Sequence, residues 1–170
     1  MVKKRLKEIL IYTSFTVYIL LMLWLMFGQR LFHVINSPHS GWFDNYWGDL
    51  KSRLNLVPFH TIAEFTTSLG ERWNTHAFIN LAGNIVMFVP LGFLLPHISN
   101  RAHTSRRCIL ISLICLLCAE ILQLFTLLGS FDIDDLILNM IGVLVGFGLQ
   151  AMICRGIKRG SEKGAIHENG

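Results

Sequence analysis

"CAEILQLFTLLGSFDIDDLILN", residues 118–139, sets two apolar stretches on either side of a short turn, "GSFD". Into this segment it places Glu120, Gln123, Asp132, Asp134, Asp135 and Asn139. An apolar helix can satisfy its backbone inside hydrocarbon, but a carboxyl or carboxamide facing lipid finds no partner there. The segment therefore predicts two antiparallel membrane helices whose polar side chains turn toward each other or toward a wet cavity.

Composition extends that reading to the whole chain. Over 170 residues, 52% are hydrophobic and 15% charged, with a mean hydropathy of +0.50. A soluble domain carries about 25% charged residues. Four stretches approach the length of about 20 apolar residues that a bilayer core requires: Ile9–Phe27, Ala77–Leu95, Cys108–Gly129 and Leu136–Cys154. The first is too long for a signal-peptide core and lacks a small-residue cleavage site after it, so it reads as a retained anchor. The expected fold is an all-α membrane protein with four transmembrane helices and a long extracytoplasmic, partly helical loop between helices 1 and 2.

Charge sets the expected orientation. The net charge of +4 does not form the single basic patch that nucleic-acid binding requires. Lys3, Lys4, Arg5 and Lys7 precede the first span; Arg101, Arg106 and Arg107 separate the second from the third; Arg155, Lys158, Arg159 and Lys163 follow the fourth. The positive-inside rule then puts both termini in the cytoplasm and residues 28–76 outside. That outer segment carries Arg30, Lys51, Arg53 and Arg72 against Asp44, Asp49, Glu64 and Glu71. It is rich in aromatics, and Trp42, Tyr46, Trp47, Leu50 and Leu54 fall at the spacing of a helix lying in the interface. The cysteines Cys108, Cys115, Cys118 and Cys154 and the seven histidines show no disulfide framework and no zinc-ligand spacing. No metal and no cofactor is expected.

In this orientation the unusual polar groups share one depth. Asn80 and Asn84 lie early in span 2, Glu120 and Gln123 late in span 3, and Asp135 and Asn139 early in span 4, all in the outer half. Within each span they fall three or four apart, on one helix face. Gly142 and Gly146 continue the Asp135–Asn139 stripe and permit close helix approach. Pro90 interrupts the hydrogen-bond ladder of span 2. Asp132-x-x-Asp135 also has capping-box spacing, so helix capping stands beside function for Asp132 and Asp134. Interhelical hydrogen bonding stands beside function for Asn80, Asn84 and Asn139.

Four blocks in order, "NLVPF" (55–59), "NLAGNIVMFVPLG" (80–92), "EILQ" (120–123) and "FDIDDLILNMIG" (131–142), resemble the successive motifs of VanZ-like membrane proteins. The resemblance covers roughly Arg53 to Gly146. It suggests an N-terminal anchor and outer aromatic loop over 1–52, a VanZ-like domain over 53–154 and a basic cytoplasmic tail over 155–170. The motif positions it carries over are Asn55, Pro58, Phe59, Asn80, Gly83, Asn84, Phe88, Pro90, Gly92, Glu120, Gln123, Asp132, Asp135, Asn139 and Gly142. The family takes its name from a member associated with teicoplanin resistance, which implies a role in the bacterial cell envelope and a multi-pass place in the cell membrane.

The leading expectation is a binding protein. An outward-facing polar pocket would hold a lipid-linked envelope component or a lipoglycopeptide antibiotic, with membrane lipids around it. Its candidate ligand-binding residues are Asn55, Asn80, Asn84, Glu120, Gln123, Asp132, Asp135 and Asn139. The alternative is a membrane-embedded enzyme modifying an envelope lipid, with Glu120 as general base and Asp135, together with Asp132, binding a divalent cation or positioning a head group. The sequence contains no activated nucleophile motif and no phosphate cradle to favour the enzyme. A proton- or ion-coupled carrier ranks below both, because the inner halves of the spans hold few ionisable groups.

Overall fold

Helix is what the apolar stretches must form, and helix dominates the protein. A computed structural model describes residues 2–36, 45–63, 75–99 and 104–168. Element α1 (Val2–Leu23) runs through a π-helical turn, Trp24–Gly28, into α2 (Gln29–Asn36). Next come α3 (Tyr46–Ser52), β1 (Leu54–Asn55) and a helical turn, α4, described over 60–63. The long helices α5 (Thr75–Ile98) and α6 (Ser105–Phe125) follow, then β2 (Phe131–Asp132) and α7 (Ile133–Glu168). Four segments are long and apolar enough to cross a membrane: Val2–Gly28, Phe78–Ile98, Ser105–Phe125 and Ile133–Ile157. The protein is a multi-pass, all-helical membrane protein.

The described residues between the first two spans include regular elements. Helix continues past the first span to Asn36, so part of the expected loop extends the anchor. The expected aromatic helix forms over Tyr46–Ser52 but stops before Leu54. Leu54 and Asn55 instead pair in parallel with Phe131 and Asp132. Trp42, Asp44, Glu64, Glu71 and Arg72 lie outside the described residues. At the other end, the basic tail continues as helix to Glu168.

Packing centres on α5 and α7. A Cβ on Gly92 would collide with the Val143 carbonyl, one on Gly142 with the Ile85 carbonyl, and one on Gly146 with the Val89 carbonyl. The two backbones meet where no side chain intervenes, as small residues allow in membranes. The hairpin partners α6 and α7 also pack, but the glycine seam belongs to α5 and α7. Around it lies a core of Met26, Phe88, Leu91, Leu95, Cys108, Leu116 and Val143.

The first span is held differently. No residue of α1 is buried, and Leu20, Leu21 and Leu25 are exposed, as lipid-facing side chains are. Two polar contacts tie it to its neighbours. The Tyr18 hydroxyl donates to the Met87 carbonyl at 3.0 Å, and Gln123 Nε2 donates to the Met26 carbonyl at 3.0 Å.

Candidate functional site

The polar residues of the spans meet at the end of the bundle that carries the 45–63 segment. They line a cavity of about 620 Å³ between α1, α5, α6 and α7. Asn80 and Asn84 come from α5, Glu120 and Gln123 from α6, and Asp135 and Asn139 from α7. The other side of the cavity is aliphatic: Leu21, Leu25, Ile79 and Val86 line it while exposed on the surface of the bundle. The chamber is therefore amphipathic, with polar groups deep among the helices and an apolar edge between the first two spans. A smaller apolar void of about 120 Å³ lies next to it and shares Met22, Met26 and Phe88 as a wall.

Two pairs organise the polar side. Asn84 Nδ2 donates to Asp135 Oδ1, fixing a carboxamide of α5 on a carboxyl of α7. Gln123, 6% exposed, spends its Nε2 on the first span. Glu120 and Asn139 are 3% and 2% exposed, and among the described residues Glu120 Oε2 and Asn139 Oδ1 have no hydrogen-bond partner. Buried polar atoms are nearly always partnered, so two orphan acceptors on the wall of one cavity mark where a donor belongs.

Arg30, just past the π-helical turn, also lines the chamber, with Ser130 from the α6–α7 turn. Its Nη1 donates to the Leu128 carbonyl at 2.8 Å, which uses one of five guanidinium N–H donors. Arg30 is exposed, yet close enough for its charge to act on both Glu120 and Asp135. The sequence pattern does not single out Arg30, which reads as one of the balanced charges of the outer segment. Its position directly after an apolar run, where arginine marks a membrane boundary, was the available signal.

Asn55 and Asp132 do not line the chamber. They come together in a clamp beside it that fastens the 53–62 segment to the α6–α7 turn. Asn55 Nδ2 donates to Asp132 Oδ2 at 3.2 Å, and the Thr61 hydroxyl donates to the same oxygen at 2.7 Å. Asp132 is also the N-cap of α7, accepting the Asp134 N–H on Oδ1 at 2.8 Å. Asp134 is fully buried and accepts three backbone N–H groups, from Phe59, Thr61 and Ile62. Its carboxylate thus serves the N-terminus of α4 from a distant part of the chain, where unpaired N–H groups attract an anion. It also holds Phe59 at φ 64, a conformation uncommon for a non-glycine residue.

The carbonyls at the end of α6 are covered in the same way. The Arg53 guanidinium donates to the Leu127 carbonyl at 2.8 Å, and the Tyr46 hydroxyl donates to the Phe125 carbonyl at 2.9 Å. Together with Arg30, these contacts pin the turn that carries the chamber's rim. Among the described residues, no group of three His, Cys, Asp or Glu side chains is placed to hold a metal ion.

The VanZ/LLP1 family model matches residues 15–155, most of the chain, starting midway through the first span. The protein belongs to the VanZ/LLP1 family. Neither a curated protein nor a solved structure matches it. The motif blocks that resembled this family now have distinct places. "NLAGN" and "EILQ" supply chamber walls, "NLVPF" supplies the clamped segment, and "FDIDDLILNMIG" supplies clamp, chamber and glycine seam in succession.

Proposed function

We infer that this VanZ-like protein binds an amphiphile of the bacterial cell envelope, a lipid-linked component or a lipoglycopeptide, in the chamber among its four spans. The observation that carries this reading is the amphipathic lining. Glu120, Asn139 and the Asn84–Asp135 pair offer hydrogen-bonding groups at depth, while Leu21, Leu25, Ile79 and Val86 make an apolar border toward lipid. Ligand sites combine these features, with few polar groups fixing orientation inside a mostly apolar pocket. The cavity is large enough for a head group, and the aliphatic edge between spans 1 and 2 suits a tail that stays in the bilayer.

The charge pattern of the connecting segments supports cytoplasmic termini, so the chamber opens toward the outer leaflet. There it meets envelope lipids and lipoglycopeptides, and capture of such a molecule is how this protein contributes to teicoplanin-type resistance. Binding is favoured over catalysis because the carboxyl groups of the chamber face amides and an arginine rather than an activated nucleophile.

The test is a titration of purified protein in detergent against a fluorescent lipoglycopeptide and a fluorescent lipid-linked cell-wall precursor. One of the two binds saturably, and Asn139→Leu weakens it about fivefold to tenfold, the worth of one buried hydrogen bond. Partitioning equal to that into protein-free micelles, for both probes, refutes the reading.

A further inference from the structure

Within the chamber, the unmet hydrogen-bonding capacity has a sign. The two orphan atoms, Glu120 Oε2 and Asn139 Oδ1, are both acceptors, on residues at most 3% exposed. The ionisable groups are also unbalanced. Among the described residues, two that bear carboxyl groups, Glu120 and Asp135, share the wall with one guanidinium, Arg30. A phosphate seated at depth would add negative charge beside two carboxyl groups and leave both orphan acceptors without a donor. A positively charged N–H donor corrects both deficits at once.

The arrangement is also graded. The acceptors are deep, while Arg30 is exposed and holds the turn at Leu128. A ligand reaching the deep acceptors with a cation leaves its next group beside Arg30, whose guanidinium geometry suits a phosphate. The tail then departs along Leu21, Leu25, Ile79 and Val86.

We propose that the chamber recognises a zwitterionic amphiphile, its primary ammonium donating to Glu120 and Asn139 and its phosphate resting against Arg30. The proposal rests on the amphiphile-binding reading and specifies its head group. An ammonium brings three N–H donors in a compact cation, enough for Glu120 Oε2, Asn139 Oδ1 and the Asp135 carboxyl. The same chemistry occurs on an ethanolamine phospholipid and on an aminoacylated phosphatidylglycerol. A trimethylated choline head group carries the charge without an N–H and meets neither orphan acceptor.

The experiment is native mass spectrometry of the full-length protein, delipidated and then offered lipids with identical acyl chains. Phosphatidylethanolamine, phosphatidylcholine, phosphatidylglycerol and alanyl-phosphatidylglycerol are compared. The expected result is retention of at least one amine-bearing lipid about tenfold above both phosphatidylcholine and phosphatidylglycerol, the worth of a hydrogen bond to a charged group. Whichever amine-bearing lipid gains identifies the source of the ammonium. Glu120→Gln, close in shape, lowers that lipid to the choline level, and Asn139→Leu does so independently. Equal retention of all four lipids overturns the head-group assignment and leaves amphiphile binding standing. Preference for phosphatidylglycerol also overturns it, and points to Arg30 as a plain anion site. Retention of no lipid, together with no saturable binding of the fluorescent probes, overturns both readings.

Discussion

Replacing Asp134 by asparagine tests whether the clamp is what holds the chamber's rim. One oxygen of this carboxylate accepts the Phe59 N–H and the other accepts those of Thr61 and Ile62. An asparagine keeps one oxygen for Thr61 and Ile62 but turns an NH₂ toward the Phe59 N–H, donor against donor. One bond to a charged acceptor disappears, at about 1.5–3 kcal/mol. The two that survive become neutral bonds of roughly half the strength. Because Asp134 is fully buried, water does not enter to replace what is lost. The sum is about 3–6 kcal/mol, concentrated on four residues of backbone, so local opening is about a hundredfold or more greater. Hydrogen exchange read by mass spectrometry on peptides spanning 54–63 measures it, with the α5 and α7 amides as internal reference. Wild-type exchange in the 54–63 peptides would refute the reasoning, because among the described residues no other side chain takes those three N–H groups.

Further expectations concern the bundle. Gly146→Val sets a side chain against the Val89 carbonyl and costs about 1–3 kcal/mol or more by overpacking. Gly148→Ala, with nothing within 4 Å of the added carbon, gains about 0.5–1 kcal/mol of helix propensity. Thermal unfolding in mild detergent reads the contrast, and equal effects would remove the glycine seam as an explanation. Asn84→Leu strips Asp135 of its carboxamide donor and destabilises by about 1–3 kcal/mol in the same assay. Tyr18→Phe and Gln123→Leu each release one latch on the first span, at about 0.6 kcal/mol and at most about 1.7. Spin labels on α1 and α5 report a broader distance distribution in the double variant than in either single one, and unchanged distributions would show that packing alone seats α1.

The membrane architecture was legible because the free energy of burying charge in hydrocarbon leaves so few arrangements. Four apolar stretches must be helices, and the carboxyl and amide groups of Asn80, Asn84, Glu120, Gln123, Asp135 and Asn139 must face one another. They share one chamber. The remaining features depend on contacts between residues far apart in the chain, which no local pattern encodes. The parallel pairing of Leu54–Asn55 with Phe131–Asp132 is one example, and it explains why the helical spacing toward Leu54 ends at Ser52. Asp134 is another. At the start of a helix it reads as a local cap, yet its partners are the amides of 59, 61 and 62. The glycines of α7 announced close approach without naming the partner, and Gly92 of α5 identifies it. The π-helical turn at Trp24–Gly28 has no residue signature in this stretch.

The clamp has a consequence for how the protein is made. Its bonds join residues 71 to 77 positions apart, so its first half cannot be fastened until Asp132 and Asp134 have left the ribosome. During synthesis the first two spans enter the bilayer with their connecting segment unsecured and the chamber missing two walls. Only arrival of the last hairpin completes the enclosure, in a single late step. A chain cut short before Asp132 lacks both carboxylates of the clamp, so its connecting segment has nothing to close on.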